Sequence, residues 1–140
     1  MITEKPAGSL DANVLLRLLL RDISDQHAAA MQLLQKGKLV VADVAVVEIV
    51  YVLLKYYGLP RPNVAGAVRG LMEQPVLEVN RLLFEGALDL FVRHPKLSFE
   101  DCYLAESAIL ENADPLWTFD RDLATQAPGA KLVARASLEL

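Results

Sequence analysis

Short apolar stretches alternate along this chain with longer stretches in which apolar and polar residues follow a helical period. The short stretches predict strands at residues 7–10, 39–42, 76–79, 116–118 and 132–133. The longer ones predict helices at residues 13–20, 24–35, 44–57, 63–72, 81–94, 99–111 and 121–125. Strands that alternate with helices in this way are typical of a parallel sheet covered on both faces, so we predict an α/β fold.

The segment from Val44 to Tyr57 carries two opposing signals. Its many β-branched residues favour a strand by intrinsic propensity. Its length of about fourteen residues, with Gly58 directly after it, favours a helix. We predict a helix, because burial in the tertiary structure can override propensity.

The composition indicates a single cytoplasmic domain that spans residues 1–140. This length is typical of one domain, and no apolar run approaches the ~20 residues of a membrane span. Cys102 is the single cysteine, so no disulfide can form within the chain, and we expect it to be buried packing. Because 54% of the residues are hydrophobic, we expect apolar surface to be covered at subunit interfaces as well as in the core.

The charge balance does not by itself favour nucleic acid as a partner. The chain carries 14 Lys and Arg against 18 Asp and Glu, a net charge of −4, whereas proteins that bind phosphates are usually basic. A cluster of acids that holds cations could reverse the local field, so the average charge leaves the question open.

Four acidic residues occupy positions at which a site could form. Asp11 and Asp120 each follow a predicted strand, and ligands bind at the carboxyl ends of parallel strands, although either residue could simply cap the next helix. Glu48 interrupts an apolar helix, where a buried carboxylate needs a partner, a metal or a proton unless that face reaches solvent. Asp101 follows Ser98 at the spacing of a capping box.

A parallel sheet could gather these four acids at one edge. At an effective dielectric constant of ~20, two carboxylates 4 Å apart repel by about 4 kcal/mol, so such a cluster makes sense as a site for a hard divalent cation such as Mg²⁺ or Mn²⁺. His27 and His94 lack metal-ligand spacing and are expected on the solvated surface.

The four acids lie in the segments LDANVLLR at 10–17, VEIVYVL at 47–53, SFED at 98–101 and LWTFD at 116–120. In these segments the sequence resembles the PIN-domain family, and within it the VapC-type toxins of toxin–antitoxin pairs. The family has an apolar first strand and a Thr after its first acid. Residues 4–9 are poorly apolar here and Ala12 replaces the Thr, so we expect a short first strand.

The resemblance implies a three-layer α/β/α domain with a mostly five-stranded parallel sheet. It implies an endoribonuclease that cuts RNA with Mg²⁺ or Mn²⁺, forms a homodimer, is inhibited by a small antitoxin protein and has no membrane partner. The alternative is an inactive interaction protein whose acids are mainly helix caps. The resemblance implies that the metal is bound by the four acids Asp11, Glu48, Asp101 and Asp120, with Asn13 and Thr118 as supporting residues. Candidate RNA contacts, chosen only because they are near these acids in the sequence, are Arg17, Arg21 and Arg121.

Overall fold

The computed structural model of the protein describes residues 5–134, which form seven helices and five short strands. Among these residues, no helix is long and apolar enough to cross a membrane. The strands are β1 (Gly8–Ser9), β2 (Leu39–Val40), β3 (Leu77–Glu78), β4 (Leu116–Thr118) and β5 (Ala130–Leu132). The helices are α1 (Ala12–Leu19), α2 (Ser24–Leu33), α3 (Asp43–Lys55), α4 (Arg61–Met72), α5 (Arg81–Arg93), α6 (Phe99–Leu110) and α7 (Arg121–Gln126).

The described strands pair in parallel, which confirms the predicted α/β fold class. They form a three-stranded sheet in the order β1-β2-β3 and a two-stranded sheet of β4 and β5. The prediction of one mostly five-stranded sheet is therefore wrong for residues 5–134. Each strand contains only two or three residues, so each ladder rests on few hydrogen bonds and the five strands do not join into one ladder.

The described residues fall into two compact units, which divide between Arg81 and Leu82. The first contains the three-stranded sheet and the helices α1 to α4. The second contains the remainder of α5, the helices α6 and α7 and the two-stranded sheet. That residues 1–140 make a single domain stays a prediction.

The strand β1 is as short as the sequence indicates. It is held by backbone bonds, because the Ala7 N–H donates to Lys38 O at 2.7 Å and the Leu10 N–H donates to Val40 O at 2.9 Å. Gly8 has a φ of 155°, which residues with a β-carbon rarely adopt. Backbone pairing, a glycine conformation and the buried side chain of Leu10 thus place the chain that leads to Asp11.

The helix α3 confirms that burial overrides strand propensity. One face of it is fully covered, with Ile49 and Val50 at 0% and 1% exposure. This face packs against α1 and α4. Full burial of one such side chain contributes about 1.5–3 kcal/mol, which exceeds the few tenths that a β-branched residue costs in a helix.

In the second unit an aromatic cluster fixes α6 on α5. The ring of Phe99 stacks on Phe84 at a centroid distance of 6.1 Å and meets Phe91 edge-on at 5.4 Å. Phe84 and Phe91 are fully buried, and so is Cys102, as predicted. The first turn of α6 is therefore anchored by Phe99 close to Asp101.

Two helices begin without a side-chain cap. The helix α2 begins at Ser24, as predicted, and the residue at its cap position, Ile23, makes no side-chain bond. The helix α4 begins two residues before its predicted start, so that Arg61 and Pro62 lie in its first turn. Proline is tolerated there because the first helical N–H groups have no partner within the helix.

Candidate functional site

Asp11 lies directly after Leu10 at the carboxyl end of β1 and caps α1. Its Oδ1 accepts a hydrogen bond from the Val14 N–H at 3.0 Å. The side chain is exposed, and the cap does not use its second carboxylate oxygen. The capping role considered from the sequence is confirmed, and it leaves one oxygen available for a ligand. Asn13 follows on the exposed side of the same first turn.

Glu48 lies on the exposed face of α3. Val44, Tyr51 and Lys55 are exposed on the same helix at spacings of four, three and seven residues from Glu48. The Glu48 carboxylate is therefore solvated, and the reading in which it is a buried charge is wrong. The sequence could not decide this point, because it does not tell which face of an almost wholly apolar helix is packed.

Asp101 lies in the first turn of α6 and is half-buried. Its N–H donates to Oγ of Ser98 at 3.1 Å, so Ser98 is the cap, as the Ser-x-x-Asp pattern predicts. The cap uses only the backbone of Asp101. Its carboxylate lies where the positive end of the helix dipole favours negative charge.

Asp120 follows β4 and caps α7. Its Oδ1 accepts a hydrogen bond from the Leu123 N–H at 3.0 Å. Its own N–H donates to Oγ1 of Thr118 at 2.9 Å. The Thr118 hydroxyl thus fixes the backbone of Asp120, as expected of a supporting residue. The strand β4 packs against both α6 and α7, so the elements that carry Asp101 and Asp120 are neighbours within the second unit.

A surface cavity of about 230 Å³ lies beside Asp120 in the chain. The two residues that flank Asp120, Phe119 and Arg121, both line it. The rest of its lining comes from Leu132, Val133 and Ala134. A phenylalanine and an arginine in the lining of one cavity are residue types that suit a base and a phosphate.

The four acids divide evenly between the two units. Asp11 caps α1 and Glu48 lies on α3, and these two helices pack together in the first unit; Asp101 and Asp120 belong to the second unit. Among residues 5–134, no three or more His, Cys, Asp or Glu side chains form a group that could hold a metal ion. The gathering of the four carboxylates at one edge stays a prediction. As donors they suit Mg²⁺ or Mn²⁺, because each offers carboxylate oxygen and the two capping aspartates keep one oxygen outside the cap.

The sequence matches the PIN domain family over residues 9–127. The chain belongs to the PIN-domain family. Proteins of this family are generally nucleases and typically use divalent metals. The match runs from the end of β1 into the residues just after α7, so it includes all four acids. Among curated proteins, none matches this PIN domain.

The basic side chains predicted to contact RNA in this PIN domain differ in exposure. The Arg17 side chain is only 12% exposed and its Nη1 donates to Oδ1 of Asp22 at 2.8 Å, so a contact with RNA would compete with this ion pair and stays a prediction. Arg21 and Arg121 are exposed and stay predicted contacts. His27 is half-buried and its Nδ1–H donates to Arg17 O at 2.7 Å, which corrects the expectation of a solvated histidine.

One titratable group of the PIN domain was missed by sequence reasoning. Glu106 on α6 is half-buried, and its carboxylate lies against Gly86 of α5. Burial raises the pKa of Glu106 and the nearby Asp89 raises it further, while Arg93 lowers it. A glycine in the middle of the amphipathic helix α5 was the available signal, since it marks a close approach.

Proposed function

We propose that this PIN domain is a cytoplasmic endoribonuclease that depends on Mg²⁺ or Mn²⁺ and acts as the toxin of a VapC-type toxin–antitoxin pair. Membership of a family of nucleases supports the reaction class. The observation that carries the proposal is the placement of Asp11 and Asp120. Each lies two residues after the end of a strand, and its carboxylate caps the next helix through one oxygen and keeps the second oxygen outside that cap.

The proposed roles of the residues follow from their bonds and exposure. Asp11, Glu48, Asp101 and Asp120 would hold the divalent cation, and Thr118 would keep the backbone of Asp120 in place. When bound, the metal supplies an activated water and neutralises charge on the phosphodiester. Asn13 is exposed two residues after Asp11, in the first turn of α1, and would support it.

The expected substrate is RNA with unpaired bases. Single strands and loops expose their bases to side chains, whereas an RNA duplex hides them in a narrow major groove. Arg121, at the rim of the cavity beside Asp120, would bind a phosphate. Because the chain has a net charge of −4, we expect phosphate binding to be confined to such local cations.

The deciding experiment is cleavage of single-stranded RNA by the purified full chain, free of antitoxin, with and without Mg²⁺. Asp11→Asn and Asp120→Asn should each lower kcat/KM by roughly 100-fold or more, which corresponds to about 2.7 kcal/mol of transition-state stabilisation. Asparagine caps helices as well as aspartate does, so these variants remove charge and keep the fold.

Asp122→Asn is the matched control, because Asp122 is an exposed acid in the first turn of α7 that does not cap it. It should cut RNA like the parent protein. If Asp11→Asn and Asp120→Asn also cut like the parent, the two acids serve only as helix caps and the site assignment is wrong. If the parent chain itself does not cut RNA, the alternative of an inactive interaction protein is favoured.

The partner assignments are proposals of the same kind. We propose a homodimer and a small antitoxin protein that inhibits the enzyme. Light scattering of the purified chain tests the first, and a mass near that of one chain contradicts it. A short neighbouring reading frame whose product binds the chain and abolishes RNA cleavage supports the second, and a product that leaves cleavage unchanged contradicts it.

A further inference from the structure

Two tyrosines at the end of α3 expose an unusual amount of aromatic surface. Tyr51 is 57% exposed and Tyr56 is 79% exposed. Their rings meet edge to face, with centroids 6.5 Å apart and planes at 76°. This contact holds the two rings in a defined arrangement while most of their surface stays in solvent.

The helix register connects this pair to a predicted metal ligand. Glu48, Tyr51 and Lys55 are all exposed and are spaced three and four residues apart, so they share one face of α3. At 1.5 Å of rise per residue, Tyr51 lies about one turn beyond Glu48 and Lys55 about one turn beyond Tyr51. The face therefore presents a carboxylate, an aromatic ring and an ammonium group in sequence.

We infer that Tyr51 and Tyr56 form a stacking site for an unpaired base of the RNA, with Lys55 binding an adjacent phosphate. Aromatic side chains beside a cation are how proteins bind single-stranded nucleic acid, because every base has a π face and every nucleotide a negative charge. The inference rests on the proposed ribonuclease function and adds a substrate subsite to it.

The size and charge of this face favour RNA over a protein partner. A large aromatic side chain buries about 150–250 Å² in a contact, so two partly exposed rings offer far less than the ~800 Å² per partner of a stable interface. On the shared face of α3 the ring of Tyr51 lies between two charged residues, because Glu48 separates it from the exposed Val44 and Lys55 follows it. Lys55 supplies the charge that a phosphate requires.

The test measures binding of a fluorescently labelled single-stranded uridine 12-mer to the full chain. An Asp120→Asn background with Mg²⁺ present prevents cleavage during the measurement. The double variant Tyr51→Ala/Tyr56→Ala should weaken binding by about 10-fold or more, since stacking contributes roughly 1–3 kcal/mol per base. Tyr51→Phe/Tyr56→Phe should bind within about twofold of the parent, because the rings remain.

Two further variants separate charge from stacking. Lys55→Gln should lower the slope of log affinity against log salt by about 0.7, the contribution of one phosphate contact on a single strand. Leu104→Ala is the control for loss of exposed apolar surface, because Leu104 is 48% exposed on α6, and its affinity should equal that of the parent. In the cleaving enzyme, the double alanine variant should raise KM about 10-fold and leave kcat within twofold.

The outcomes distinguish this inference from the proposed function. If the parent chain cuts RNA and the double alanine variant keeps its affinity and KM, the inference fails alone. If the parent chain does not cut RNA but its RNA affinity depends on the two rings, the proposed function fails alone. A lower molecular mass of the double alanine variant in light scattering would instead identify an interface between copies and overturn the inference.

Discussion

Glu106 occupies the space that Gly86 leaves open between α5 and α6. A β-carbon at Gly86 would overlap the Glu106 carboxylate, whereas Gly66 and Gly70 on α4 have no such neighbour within 4 Å. In a helix interior, replacing glycine by alanine usually stabilises a protein by about 0.5–1 kcal/mol. Replacement by alanine should therefore change the free energy of unfolding differently at Gly86 than at Gly66 and Gly70.

We expect that Gly86→Ala does not stabilise the protein in this way, because the Glu106 carboxylate must move away from its position. Gly66→Ala and Gly70→Ala should each raise the free energy of unfolding by about 0.5–1 kcal/mol. Urea denaturation of the three variants measures the difference. In a Glu106→Ala background Gly86→Ala should recover the full gain, and equal gains at all three glycines in the parent protein would contradict the close contact.

The same carboxylate should make stability depend on pH. Burial and then Asp89 raise the pKa of Glu106 above its ordinary value of 4.5, against the opposing effect of Arg93. The folded protein therefore binds this proton more tightly than the unfolded chain does. The resulting stability is present below pH 4.5 and is lost as the pH rises through the raised pKa.

Glu106→Gln removes this titration and keeps the shape of the side chain. Relative to the parent protein, the variant should become steadily more stable as the pH rises from about 4 to 7. Urea denaturation of both proteins at several pH values measures the difference in the free energy of unfolding. A difference that stays constant across this range would mean that the pKa of Glu106 is not raised.

At the scale of elements, Arg81 ties the end of α4 to the start of β3. Its Nε donates to Met72 O at 2.8 Å, and its Nη2 donates to Gln74 O at 3.2 Å and Leu77 O at 2.9 Å. The last carbonyl groups of a helix have no partner within the helix, so a guanidinium at this place satisfies oxygens that would otherwise need water.

Arg81→Met keeps the length of the side chain and removes its donors. We expect it to lower the free energy of unfolding by about 1–3 kcal/mol, because hydrogen bonds to a charged group are lost. Arg21→Met is the control, since Arg21 is exposed, and it should change stability by less than about 0.5 kcal/mol. A similar small change in both variants would show that water replaces Arg81 at little cost.

The elements themselves were largely predictable, because the signals that start and stop them are local. Every predicted helix and strand is present within a few residues, and β4 matches its predicted bounds. The spacing from Ser98 to Asp101 and the position of Asp120 before α7 also predicted two caps correctly. These features depend on neighbours within about one turn of chain.

What the sequence could not provide depends on contacts between distant residues. Glu48 is exposed because other faces of α3 pack on α1 and α4, and the guanidinium of Arg17 forms an ion pair with Asp22. The division of the strands into two sheets likewise depends on which short ladders form. Such choices are made by tertiary packing, which propensity and periodicity do not report.

At the scale of the whole molecule, a divalent cation bound by the proposed ligands should raise the free energy of unfolding. Such a cation would bind the folded state and not the unfolded chain. At a concentration of 100 times Kd it would add about 2.7 kcal/mol, which moves Tm by roughly 5–10 °C in a domain near 150 residues. Mg²⁺ and Mn²⁺ at millimolar concentration should therefore raise the Tm of the parent protein.

Asp11→Asn and Asp120→Asn test whether these two carboxylates cause the metal-dependent rise in Tm. Each keeps its helix cap, so its Tm without metal should stay near that of the parent, but each should lose most of the metal-dependent rise. Asp122→Asn should keep the full rise, and NaCl at matched ionic strength should not produce it. If Mg²⁺ and Mn²⁺ leave the Tm of the parent unchanged, the second oxygens of Asp11 and Asp120 hold no cation, and their carboxylates act only as the helix caps that the structure shows.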